Sequence, residues 1–383
     1  MRRIIIVGHE PLTKNTKENF YIPELFQEGF DVEYWDVSKI VHDELQIIDE
    51  LSETYLRKII TIESFKKLVS QYSSDSIFLV EIFETWSARS IFKVLSDFQV
   101  ISIRIDTYAT AIVPLKLKHK LVYLRSVSYL RKVIKQRLLN WRLKQFYNRN
   151  NIVKYNILFT SANLPTTRET EVVRINSKDY EKYLEEINLI NMFPGERYCV
   201  FLDEYLPFHP DTVYILKGKR VNPETYFSLM NRLFDYIEHT MNIRVVIAGH
   251  PKSDYSSETF NSRPIIKYKT NQLVKFSEFV IVHTSLSLHF AVLNYKPIIF
   301  TAYEELKKCS ISKFAIIKYR ASFLNRPIHM LDDLHTLNIL PVDKDKYDLF
   351  RYQFLSSPET ANVRNKDIIL QRIKKEAKYQ HKN

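Results

Sequence analysis

Glycine is scarce in this chain, with five in 383 residues. Neither a GxGxxG dinucleotide fingerprint nor a GxxxxGK[ST] phosphate loop is present, which argues against a nicotinamide enzyme and a P-loop ATPase. Cysteine is scarcer still. Cys199 and Cys309 stand far apart with no CxxC or Cys/His grouping. That leaves no disulfide framework and no zinc site, and fits a reducing cytoplasm. Long apolar runs are also missing, since nothing approaches the roughly 18 to 20 residues of a membrane span. The opening "MRRIIIVGHEP" turns polar too soon for a signal peptide and reads as a first core strand. Finally, acidic residues are absent from 107 to 168, a segment holding thirteen Lys and Arg.

What is present belongs to a globular protein: 45% hydrophobic and 26% charged residues. The length allows two domains with full cores. Much of the net charge of +12 comes from the acid-free segment. Within 116–149, Leu121, Leu124, Val127, Leu130, Ile134, Leu138 and Trp141 recur every three or four residues, the period of a helix with one apolar stripe. Arg125, Arg131, Lys132, Lys135, Arg137, Arg142 and Lys144 occupy its other faces. Two readings stay open. The helix could lie on an anionic membrane surface or hold an anionic polymer; alternatively, it packs on its own core with a solvated basic rim. Nucleic acid is not an expected partner, because the chain shows no nucleic-acid motif beyond charge.

Strands and helices alternate along the chain. "RIIIVG", "DVEYWDV", "SIFLVEIF", "QVISIRID", "YNILFTSA" and "EVVRIN" read as strands, with helices at 23–29, 50–70 and "SARSIFKVLSDF". A helix over 176–192 and the pair Pro194-Gly195 close this half. A second set follows: "RYCVFLDEYL", a helix over 223–240, "IRVVIAGHP", "IIKYK", a helix over 270–276, "FVIVHTS", the helix "LSLHFAVLNY" and "KPIIFTA". The pattern predicts an α/β class with two Rossmann-like domains facing a cleft. Their expected bounds are 1–178, with the basic helix, 196–345, and a helical tail over 346–383.

Polar residues end the strands of the second set. Val245 to Ala248 is a short run buried on both faces, and Gly249, His250, Pro251 and Lys252 follow it. Open α/β sheets bind ligands outside the carboxyl ends of their strands, so His250 is either a loop histidine or a ligand group. Asp203 and Glu204 end one neighbouring strand, and Thr284, Ser285 and Ser287 follow another. Convergence of the three ends would favour the ligand. His209, in "PFHPD", has no clear strand before it and reads as a loop histidine. The lone DxD, Asp343-Lys344-Asp345, reads as a solvated turn.

These segments resemble the bacterial sialyltransferases, which have the two-Rossmann-domain glycosyltransferase architecture called GT-B. "GHPKSDY" looks like their His-Pro motif, "FLDEYLP" occupies the place of their acidic motif, and "HTSLS" is similar to their Ser-Ser/Thr motif, in the same chain order. The likeness covers residues from about 197 to 300, and Tyr205 stands where the family has glycine. The resemblance implies a metal-independent, inverting transferase without a cofactor, working in bacterial surface-polysaccharide synthesis, with 1–178 as the acceptor domain, 196–345 as the nucleotide-sugar donor domain and the tail over 346–383 crossing back. It would take a CMP-activated sugar, sialic acid or a related nonulosonic acid, to a glycan or lipid-linked glycan. A CMP leaving group needs donors aimed at its phosphate, which His250 and the hydroxyls of Thr284, Ser285 and Ser287 could supply beside a helix N-terminus. The acceptor needs a base, for which Asp203 is the first candidate and Glu204 the second. Asp106 and Thr107, ending a strand of the first half, could hold the acceptor. The implied location is the cytoplasm, at the inner face of the membrane. A transferase using a nucleotide-diphosphate sugar or CDP-polyol, and a non-catalytic membrane-surface scaffold, are the competing readings.

Overall fold

Short runs of Val, Ile, Leu and Phe bounded by polar turns suit strands covered on both faces, and that is how they are used. A computed structural model describes residues 3–42, 50–107, 127–164, 166–167, 170–209 and 220–379. The strands of its first sheet are β1 (Arg3–Gly8), β2 (Asp31–Asp36), β3 (Leu56–Lys58), β4 (Ser76–Glu81), β5 (Ile101–Asp106), β6 (Ile157–Thr160) and β7 (Glu171–Arg174). They lie in the order β3-β2-β1-β4-β5-β6-β7, and every pair is parallel. The second sheet holds β8 (Tyr198–Leu202), β9 (Arg244–Gly249), β10 (Ile265–Lys267), β11 (Val280–Val282), β12 (Ile298–Ala302) and β13 (Ile328–Met330). Its order is β10-β9-β8-β11-β12-β13, again parallel throughout.

Both sheets are doubly wound. The chain runs outward from a central strand, returns to its other side, and so leaves a topological switch point where ligands bind in this class. That point lies between β1 and β4 in the first sheet and between β8 and β11 in the second. The helices used below are α1 (Ile62–Tyr72), α2 (Arg89–Asp97), α3 (Val127–Arg149), α4 (Pro223–Met241), α5 (Thr270–Phe276), α6 (Leu288–Leu293), α7 (Ile311–Phe323) and α8 (Asn365–Tyr379).

The chain forms two compact units: the second is Ser177–Asn362, and the first takes the chain up to Asn176, apart from a short stretch outside the described residues, and resumes at Val363. Helix α8 enters the first core through Ile369, Leu370 and Ile373, buried with Ile4, Ile6, Ile103 and Phe159. Within the first unit Asn176 and Asn365 tie the two passages of the chain together: the Asn176 amide donates to Asn365 Oδ1 at 2.7 Å, and Asn365 Nδ2 donates to the Asn176 carbonyl at 2.8 Å.

One expected helix is in part a strand. The segment 50–70 contains β3, a three-residue edge strand pairing with β2 (Tyr34↔Leu56), before α1 begins at Ile62. Thr61 caps α1 by accepting the Ser64 amide at 3.2 Å. So short an edge strand has one partner and no alternation to announce it. The start of the basic helix, with Leu121, Leu124 and Arg125, lies outside the described residues.

Candidate active site

Parallel pairing puts the carboxyl ends of β9, β8 and β11 side by side. Asp203 and Glu204 leave the middle strand, and each reaches to one side. Asp203 Oδ2 accepts the His250 amide at 3.1 Å, while Oδ1 accepts the Tyr205 amide and the Tyr255 hydroxyl, each at 2.9 Å. Glu204 Oε1 accepts the Thr284 amide, and Oε2 accepts the Thr284 hydroxyl and Lys313 Nζ, the last at 3.3 Å from α7. The acidic pair thus ties the His-Pro loop to one side and the Thr284 loop to the other. The Glu204–Thr284 tie lies at the switch point itself.

The two carboxylates differ in electrostatics. Burial raises the Asp203 carboxyl above its ordinary range, against the lowering effect of its three hydrogen bonds. Burial also acts to raise Glu204, but Lys313, His283 and the bonds from Thr284 outweigh it, so Glu204 is held below the usual range. Both residues are buried and every oxygen accepts from the chain. Taking a proton at either would cost existing hydrogen bonds.

His250 is part-buried, and its Nδ1 accepts the Lys252 amide at 3.1 Å. An accepting Nδ1 leaves the proton of a neutral imidazole on Nε2, where it can be donated. The loop is pinned again by Ser253, whose amide and hydroxyl donate to the His250 carbonyl at 2.9 and 2.7 Å. His209 faces His250 edge-on, with ring centroids 4.8 Å apart. Sequence alone gave His209 no strand to place it. Gly249 is required by close approach: a Cβ there would come within 2.9 Å of Ile265 Cγ2 on β10.

Thr284 is committed to Glu204 through both its amide and its hydroxyl, so it shapes the loop more than it offers a hydroxyl. The carbonyls of Thr284 and Ser285 accept from Arg320 Nη1 of α7 at 2.7 and 3.3 Å. Ser287 precedes α6 without a side-chain capping bond, and α6 spans six residues, so its dipole is small. Ser285 and Ser287 are part-buried after the same strand, and Lys252 is exposed. Tyr205 takes the left-handed conformation (φ 52°), which explains why glycine suits that position. Its strain is offset by the bond to Asp203 and by rings of Tyr255 and Phe208 at 5.2 and 5.5 Å.

The switch point of the first sheet also carries polar groups. His9 follows β1; its amide and Nδ1–H donate to the Glu81 carbonyl at 3.2 and 2.5 Å. The Glu81 carboxyl, at the end of β4, is pushed up to about 7 by burial, opposed by Arg104 and reinforced by Asp106 and Glu10. Arg104 donates to the Ile82 carbonyl at 3.1 Å and to the Tyr155 hydroxyl at 2.9 Å. Asp106 and Arg104 line a cavity of about 1150 Å³ with Phe83, Tyr147, Lys154 and Tyr155. Thr107 follows Asp106, part-buried, and is not among the lining residues. His9 and Glu81 were missed from sequence, although "IVGHEP" ends its strand in Gly-His as "IAGHPK" does. Among the described residues, no group of three or more His, Cys, Asp and Glu could hold a metal ion.

No protein-family model and no curated protein matches the chain. Solved structures similar to it include the spinosyn forosaminyltransferase SpnP (12% identity, 98% of this chain and 99% of that one, TM-score 0.40). The calicheamicin glycosyltransferase CalG4 is similar at 10% identity over 99% and 98% of the two chains, with a TM-score of 0.48. The UDP-GlcNAc 2-epimerase of Methanocaldococcus jannaschii is similar at 10% identity over 97% and 99%, with a TM-score of 0.44.

Proposed function

We propose that this protein is a glycosyltransferase that takes its sugar from a nucleotide-activated donor, and that the nucleotide is CMP. The observation that carries the reading is the joining of three strand ends by one acidic pair, which gathers the motifs of the resembling family at a switch point. In this reading Nε2–H of His250, the Ser285 and Ser287 hydroxyls and Lys252 receive the leaving phosphate. Gly249 and Pro251 set the loop's path. Asp203 and Glu204 are positioning residues: Asp203 holds the His-Pro loop, and Glu204 holds the Thr284 loop.

The acceptor glycan is assigned to the cavity of the first unit, where Tyr147, Tyr155 and Phe83 offer ring faces and Asp106 and Arg104 offer hydrogen bonds. As the new glycosidic bond forms at the anomeric carbon, the bond to the phosphate breaks and the acceptor hydroxyl gives up its proton to a carboxylate base. No metal or cofactor is invoked in this scheme.

The test is a thermal-shift panel with CMP, CDP and UDP on the wild-type chain and on Asp203→Asn. CMP is expected to give the largest shift, and Asp203→Asn to weaken CMP binding several-fold, because the His250 amide loses a charged acceptor. A shift with UDP or CDP alone would move the reading to a nucleotide-diphosphate donor. Unchanged CMP affinity with lost turnover in Asp203→Asn would return the base to Asp203.

A further inference from the structure

Helix α3 spans 23 residues, about 34 Å at 1.5 Å per residue. It carries seven Lys and Arg and no acidic residue. Its C-terminal part is fastened to the first unit by Leu143 and Tyr147, which are buried among Phe92 and Tyr155. Arg142 adds to the attachment by lying over the Trp86 ring at 4.7 Å. The face that packs is therefore not the stripe that the sequence periodicity picked out. Ile134, Leu138 and Trp141 stand 59%, 53% and 58% exposed.

At 100° per residue these three fall within a narrow sector opposite Leu143. Arg131, Lys135 and Arg142 flank the sector on one side, and Arg137 and Lys144 on the other. Arg131, Lys135, Arg137 and Lys144 are all exposed. An apolar centre containing tryptophan with cations on both borders is the pattern of a helix lying in the headgroup region of a bilayer.

We propose that α3 seats the protein on an anionic membrane surface, with Ile134, Leu138 and Trp141 entering the acyl boundary and the flanking cations meeting lipid phosphates. Water is a poor solvent for three large apolar side chains held in one row. A second copy of this chain would cover the row but bring the two sets of cations together. A nucleic acid would satisfy the cations and leave the row in water. An anionic bilayer satisfies both. The proposal does not rest on the donor reading above, because it concerns attachment and not transfer.

The experiment is vesicle flotation of the full chain at low and high salt, with phosphatidylglycerol or phosphatidylcholine vesicles. Wild-type protein is expected to float with the anionic vesicles, to release as salt rises, and to show a blue shift of tryptophan emission on binding. Changing Arg131, Lys135, Arg137 and Lys144 to Gln should weaken binding about tenfold or more. Ile134→Ser, Leu138→Ser and Trp141→Ser together should abolish flotation while far-UV circular dichroism and melting stay as in wild type. Trp141→Phe should keep flotation and lose the emission shift, which ties the signal to this residue. Equal flotation of wild type and both multiple variants would overturn the proposal, as would binding indifferent to lipid charge. Self-association that the serine variant dissolves without vesicles would assign the row to a second copy. RNA retention untouched by the serine changes, without flotation, would assign the helix to an anionic polymer.

Discussion

A carboxylate at the open end of a strand is ordinarily hydrated and ionised, but Glu81 is not left in that state. Burial at the β1–β4 switch point raises it to about 7, against the lowering effect of Arg104 and with smaller contributions from Asp106 and Glu10. The folded state therefore holds a proton on Glu81 that the unfolded chain would release between about pH 4.5 and 7. For a carboxyl raised on folding, the native state is penalised as pH rises through that window, and the full penalty stands above it. Glu81→Gln removes the penalty. Its melting temperature is expected to match wild type near pH 4.5 and to exceed it increasingly towards pH 8. Thermal melts of both proteins across pH check this; a constant gap in melting temperature would refute the poised carboxyl.

Strand ends, more than single side chains, build the site, and β9 shows how tightly they are fitted. Val245, Val246 and Ile247 are fully buried, and Gly249 closes the strand under Ile265 of β10. Gly249→Ala would place a methyl 2.9 Å from Ile265 Cγ2, a separation that packed carbons do not tolerate. A cost of about 1 to 3 kcal/mol is expected from such overpacking. Ile265→Ala in the same chain should recover part of it, because alanine lacks the obstructing Cγ2 methyl. A double-mutant cycle by urea unfolding measures the coupling, and additivity of the two changes would show that the clash is relaxed elsewhere. The strands themselves were legible from sequence because each is a short apolar run with a polar end. The edge strand β3 was not, since three residues pairing with one neighbour carry too little pattern. The tie between Asp203 and His250 was not legible either, because 47 residues of chain separate its partners.

At the scale of the molecule, the chain from Val363 onward, with α8, belongs again to the first unit. Ile373 is fully buried there, whereas Arg372 reaches Glu171, a side chain about half exposed, at 2.6 Å. Burial and charge can be weighed against each other at adjacent positions. Ile373→Ala should destabilise the first unit by about 2 to 5 kcal/mol, since it removes packed methylenes and leaves a cavity. Arg372→Ala should cost about 1 kcal/mol or less, because solvent screens a pair of this kind. Urea denaturation of both variants decides the order, and equal losses would contradict it. The wild-type ion pair holds Glu171 below the ordinary carboxylate range through its hydrogen bond to Arg372.

The α/β class, the position of most core strands, and Asp203, Glu204, His250 and Thr284 as the residues that follow them are legible in the order of amino acids alone. Those follow from local chemistry: apolar runs must be buried, and the polar groups after them must leave the sheet. What each polar group bonds to depends on how the strands are arranged. Strand order placed β8 between β9 and β11, and from that placement Asp203 and Glu204 became the ties of two loops. Strand order likewise brought His9 to Glu81 and raised that carboxyl, although 72 residues separate them. The same holds for α3, whose periodicity revealed a stripe but not its environment. A helical period reports which residues share a face; whether that face meets a core or water depends on packing far along the chain. Leu143 and Tyr147 took the core, and Ile134, Leu138 and Trp141 were left facing outward.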